Sequence, residues 1–134
     1  MLGLADVKDW LKTLGCGAER YYVGRLNTKP DKAIGVYSRE QGSGNSRVPI
    51  GGQRNKTYEE KAVSILVHWN NNSRETEEAA FSLYEKLANM EGTFDIGKTH
   101  IKFIRLATKE PVDVGIDEKG TYERVIWIDF IYDL

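Results

Sequence analysis

The run KAVSILVHWNNNSRETEEAAFSLYEKLANMEG, residues 61–92, decides the fold class of this chain. It opens with strict alternation. Val63, Ile65, Val67 and Trp69 share one face of a strand, and Ser64, Leu66 and His68 share the other. The polar NNNS at 70–73 ends that strand. Ser73 suits an N-cap, and Glu75, Glu77 and Glu78 put negative charge in the first turns, where the helix dipole favours it. The period then changes from two to 3.6. Thr76, Ala80, Leu83, Leu87 and Met90 fall on one stripe, and Gly92 is placed to close the helix. A half-buried strand feeding an amphipathic helix predicts a sheet with a helix laid on it.

Upstream, Leu4, Val7, Leu11 and Leu14 mark one stripe of a first helix, with Trp10 beside it and Gly15 at its end. Arg20–Leu26 (RYYVGRL) reads as a short strand, 27–31 as a proline turn, and Lys32–Arg39 as a second strand with Ile34 and Val36 on one face and Tyr37 on the other. Downstream, 93–96 reads as a short strand. Thr99–Ala107 is a strand whose apolar phase slips between Phe103 and Ile104, which predicts a β-bulge. Residues 111–120 read as a loop containing Val112 and Val114. Arg124–Tyr132 is a last strand with Ile126, Ile128, Phe130 and Tyr132 on one face and Asp129 interrupting the other. The order predicts an α+β fold: a mixed, mostly antiparallel sheet of five to six strands with two helices packed on one face. Residues 1–134 form a single domain, with a long flexible loop at about 40–58.

That loop, EQGSGNSRVPIGGQRNKTYEE in its wider context of 40–60, concentrates glycine and positive charge. From Arg39 to Lys56 there are four bases (Arg39, Arg47, Arg54, Lys56) and one acid, Glu40. From Ala107 to Leu134 there are seven acids and three bases. The net charge of the whole chain is only -1, which argues against a dedicated DNA-coating protein. A basic segment and an acidic end on one chain could meet head to tail between copies.

The residue patterns of catalysis are missing from the sequence. A phosphate-binding P-loop needs lysine and a hydroxyl after its last glycine, but Gly44 leads to Asn45-Ser46-Arg47 and Gly51-Gly52 to Gln53-Arg54. The next element is a strand, not the helix such a loop requires. The two histidines, His68 and His100, sit apart in strands, short of the three or four ligands of a zinc site. The single cysteine, Cys16, excludes an internal disulfide, and a reducing cytoplasm follows. Asp129 and Asp133 share a strand face and could do paired acid–base work, yet sheet or interface roles explain them as well. Asp113, Asp117 and Glu118 lack the EF-hand spacing. Tyr21, Tyr22 and Tyr37 accompanied by Arg20, Arg25, Arg39, Arg47 and Arg54 would suit base stacking and phosphate contact on a sheet, which keeps a nucleic-acid-binding module open. The opening MLGLADVKDWLK carries charge throughout and does not read as a signal peptide, and no apolar run approaches the roughly 20 residues of a membrane span.

Three stretches carry a resemblance. They are the opening LADVKDWLKTLG with RYYVGRL, the central KAVSILVHWNNNSRETEEAAFSLYEKL, and the ending PVDVGIDEKGTYERVIWIDFIYDL. Together they resemble the tail terminator proteins of long-tailed bacteriophages, among them the minor capsid proteins of phages and prophages of Gram-positive hosts. The resemblance implies a structural subunit with no catalytic site, metal or cofactor. Such a subunit forms a hexameric ring on the last ring of the tail tube, stops tube polymerisation, and presents the surface on which head-completion proteins join. Its implied partners are its own copies, the tail-tube protein, a head-completion protein, and DNA passing through the channel, with no membrane. Its implied location is the host cytoplasm during assembly and then the virion tail or neck. The expected contact residues are Arg39, Arg47, Arg54 and Lys56, with Asp113, Asp117 and Glu118 as a complementary acidic patch. A neck or head-completion subunit is the nearest alternative.

Overall fold

A computed structural model describes residues 2–24, 31–39 and 57–134 of the chain. Its elements, in order, are α1 (Leu4–Lys12), β1 (Arg20–Val23), β2 (Ala33–Ser38), β3 (Tyr58–His68), α2 (Ser73–Ala88), β4 (Phe94–Ile96), β5 (Thr99–Leu106), β6 (Val112–Ile116) and β7 (Tyr122–Asp133). The fold is α+β. The strands run β1-β2-β3-β7-β5-β4, and β6 pairs with β7 beside that path. Among the described residues only the β1–β2 pair is parallel.

The two alternating segments found in the sequence form the centre of the sheet. β3 and β7 pair along their whole length, from Tyr58 opposite Asp133 to His68 opposite Glu123. Val63, Ile65, Val67 and Trp69 on one side, and Ile126, Ile128, Phe130 and Tyr132 on the other, join a single buried cluster. Val7 and Leu11 of α1 and Ala80, Leu83 and Leu87 of α2 fall in the same cluster. Burying each of these large side chains contributes roughly 1.5–3 kcal/mol relative to exposure.

α1 has an unusual position. It packs against β1 and β2 and also against β4, which belong to opposite ends of the strand order. Trp10 stacks on Phe94 with ring centroids 5.3 Å apart and meets Phe130 edge-on at 5.7 Å. On the other side, the Lys12 ammonium lies 6.0 Å from the centre of the Tyr21 ring. The sheet therefore curls until one helix touches both of its ends.

Three sequence expectations change. The helix N-cap is Asn72 rather than Ser73. Its side-chain oxygen accepts from the backbone N–H groups of Arg74 and Glu75 at 3.0 and 3.2 Å, and Ser73 becomes the first helical residue. Either residue type caps well, so the strand's exit path through NNNS decides which one does. Asn72→Ala should cost about 1 kcal/mol, read as a lower urea midpoint at an unchanged slope.

The second change concerns 111–120. Residues 112–116 are not loop but β6, which raises the sheet to seven strands. β6 pairs Val112 with Val125 and Asp113 with Arg124, then skips to Gly115 opposite Glu123. The extra residue, Val114, destroys the alternation by which a strand is recognised. Gly115 takes φ +89°, a conformation that favours glycine, even though a Cβ there would meet no neighbour. Only the Glu118–Gly120 turn survives from the expected loop.

The third change is the position of the bulge in β5. The register shifts between Ile101 and Phe103, slightly before the expected place. Ile101 points into the core, Phe103 turns out to become 52% exposed, and Ile104 and Leu106 return to pack on the core. Of the loop expected at about 40–58, residues 40–56 lie outside the described part of the chain, and β3 begins at Tyr58.

Candidate assembly surfaces

The face of the sheet opposite the main cluster carries a charged network built by register. Ala62 of β3, Asp129 of β7 and Arg105 of β5 lie in one cross-strand row, and Arg39 follows β2 with its N–H bonded to the Ala62 carbonyl. Asp129, only 8% exposed, accepts a hydrogen bond from Arg39 Nη2 and two from Arg105, through Nε at 3.1 Å and Nη2 at 3.0 Å. Arg105 also reaches Glu60 at 3.3 Å. The Asp129 hydrogen bond, with the charges of Asp129 and Glu60, raises the pKa of Arg105 above its ordinary value. The Nε of Arg39 is buried without a hydrogen-bond partner among the described residues. One buried carboxylate thus serves two guanidinium groups.

Asp129 stands out in the sequence as an interruption on a strand face, but its partners do not. Asp133, the other carboxylate of that face, belongs to a separate cluster. It pairs with Lys102 at 3.2 Å and lies 3.9 Å from His100, which in turn bonds Asp95 at 2.7 Å. Asp129 and Asp133 each pair with their own cations. Among the described residues no group of three or more His, Cys, Asp or Glu side chains is placed to hold a metal ion.

Of the expected basic contacts, Arg39 is therefore engaged inside its own sheet. Arg47, Arg54 and Lys56 lie outside the described residues. The expected acidic residues are gathered along one short path. Asp113 is in β6, and Asp117 and Glu118 follow in the turn to β7. Their roles differ. Asp113 is exposed and accepts from the Gly115 N–H at 2.9 Å. Glu118 is exposed. Asp117 is a structural anchor. One oxygen accepts from the N–H groups of Lys119 and Thr121, both at 2.9 Å, and the other lies 2.8 Å from Nε2 of the fully buried His68. The His68 contact first, then these backbone donors, pull the Asp117 pKa down to about 2.

β6 itself is the feature that sequence patterning missed. Val114 and Ile116 are 48% and 58% exposed, two of the five large apolar side chains that stand open among the described residues. A third, Val23, is 42% exposed on β1 at the opposite end of the strand order. Apolar side chains on edge strands mark surfaces suited to meeting another chain.

Fold and surface define an α+β domain that carries exposed apolar side chains on two of its outer strands. The model of the bacteriophage tail terminator protein family matches residues 2–134, and the chain belongs to that family. It is thus a structural protein of the phage tail. No curated protein matches the sequence significantly. Among the described residues no helix is long and apolar enough to cross a membrane.

Proposed function

We propose that this chain caps the tail tube as a hexameric ring, ends tube polymerisation, and forms the surface on which the head is joined. The match to the tail terminator family over nearly the full chain is the observation that carries this reading. The arrangement of the edges supports it: a ring of identical subunits needs two different patches on each copy, and β1 and β6 are separate edges that each expose apolar side chains. Its partners would be neighbouring copies, the tail-tube protein and a head-completion protein, with DNA passing through the channel. Arg47, Arg54 and Lys56 are proposed contacts to tube, neighbour or DNA from their charge and sequence position. Arg39 contributes less free charge, because Asp129 holds it.

The experiment is to image tails assembled without this chain by negative-stain microscopy. Tubes of uncontrolled length that fail to join heads are the expected result. Tubes of normal, uniform length would overturn the terminator reading.

A further inference from the structure

We infer that the sheet face opposite the main cluster holds one buried water molecule, bound between Arg39 Nε, Ser64 Oγ and Asp129 Oδ1. The inference rests on side-chain geometry and does not depend on the terminator reading.

Two polar atoms require such a ligand. Among the described residues, Arg39 Nε and Ser64 Oγ are the buried side-chain nitrogen and oxygen atoms without a hydrogen-bond partner. Burying a polar group without a partner is costly, so folded proteins rarely leave one bare. Ser64 is 2% exposed, and its register partners on either side are Tyr37 of β2 and Trp127 of β7.

Register brings the two atoms to one site. Arg39 donates its backbone N–H to the Ala62 carbonyl, and Ser64 lies two positions further along β3. Side chains two apart on a strand share a face, so Arg39 and Ser64 are diagonal neighbours across β2 and β3. Ala62 carries only a methyl group, over which the Arg39 guanidinium crosses to Asp129, the register partner of Ala62 on β7.

The chemistry of the three groups selects the ligand. Arg39 Nε–H can only donate, and it shares one edge of the planar guanidinium with Nη2, which donates to Asp129 Oδ1. The ligand must therefore accept a hydrogen bond beside Asp129. Both Arg105 bonds go to Oδ2, so Oδ1 keeps a lone pair for a further donor. The serine hydroxyl can donate or accept. Water accepts from Nε, donates to Oδ1 and bonds Oγ, three hydrogen bonds in all, the usual number for a buried water. An ion fits less well. Arg39 and Arg105 already balance Asp129 and Glu60, so an added ion would bring uncompensated charge into the sheet. Because both unpartnered atoms are buried, a side chain arriving from another protein does not reach them. The water makes Ser64 a positioning residue for Arg39, which is then tied to β3 as well as to β7.

The test combines two measurements on the full chain. The first is a crystal structure at a resolution that places ordered waters. The wild type should show one water within about 2.5–3.2 Å of Arg39 Nε and of Ser64 Oγ. No ordered water there, an ion in its place, or Nε bonded directly to Asp129 would overturn the inference. The second is oxygen-17 relaxation dispersion, which counts long-lived internal waters in solution. Ser64→Val replaces the hydroxyl with methyl groups, and circular dichroism checks that the variant is folded. Its count of long-lived waters should fall by one from the wild-type value; an unchanged count would also overturn the inference. Should Ser64→Val fail to fold, the wild-type density decides alone.

Discussion

Replacing Asp129 with alanine should lower stability by roughly 3–5 kcal/mol, the cost of stripping the partner from buried charge. The Asp129 side chain is 11% exposed and that of Arg39 22% exposed, so water cannot fully replace the lost carboxylate. Arg39 is the more vulnerable of the two cations, because its Nε already lacks a partner among the described residues. Arg105 is 52% exposed and keeps Glu60, so it loses less. Three consequences can be read by urea unfolding. Asp129→Ala should move the midpoint down at constant slope. The double variant Asp129→Ala with Arg39→Ala should cost less than the sum of the single changes. Replacing the Arg39–Asp129 pair with methionine and leucine should recover most of the loss, since apolar groups of similar volume remove the need for pairing. A loss below about 1 kcal/mol for Asp129→Ala would mean that the carboxylate behaves as an exposed surface ion.

Asp117→Ala should cost roughly 2–3 kcal/mol at neutral pH, in the range of hydrogen bonds made to a charged group. The carboxylate holds the turn between β6 and β7 from both sides, through backbone donors and through the buried His68 at the end of β3. Its folded pKa of about 2 lies below the ordinary 3.8. In the window between these values the unfolded chain binds more protons than the folded one, so stability falls as pH falls. The contribution is fully present above about pH 5 and disappears as the folded carboxylate is protonated near pH 2. Wild type and Asp117→Ala should therefore differ most at neutral pH and converge in strong acid. Midpoints measured at several pH values would check this; a constant difference down to pH 2 would refute the anchoring role.

The two central strands were legible because their large residues repeat every second position without interruption over 63–69 and 126–132. α2 was legible for the corresponding reason at period 3.6. Its cap was misplaced by one residue because consecutive Asn and Ser side chains offer nearly equal oxygens, and only the path of the backbone chooses between them. β6 was hidden by its own bulge, which puts an extra residue exactly where a reader of alternation expects the opposite face. The slip in β5 was visible as a fault in phase, although the register shift lies slightly earlier. The charged network was out of reach for a different reason. Arg39 and Asp129 are 90 positions apart, and Arg105 and Asp129 are 24 apart, so no local spacing announces them. The acidic residues at 113–118 were recognised by charge, but charge alone could not separate Asp117, which is spent on the turn, from Asp113 and Glu118, which face solvent.

The position of α1 bears on the order in which the molecule can be made. This helix is the first described element to leave the ribosome, yet its tryptophan rests on Phe94 and Phe130. β7, which contains Phe130, is synthesised last of the described strands and is also the partner of β3, β5 and β6. An emerging chain therefore completes the aromatic contacts of its first helix only when its last strand arrives. Contacts so distant in sequence slow folding and make it cooperative. A fragment that stops short of β7 leaves Trp10 with Phe94 but without Phe130, one of its two ring partners.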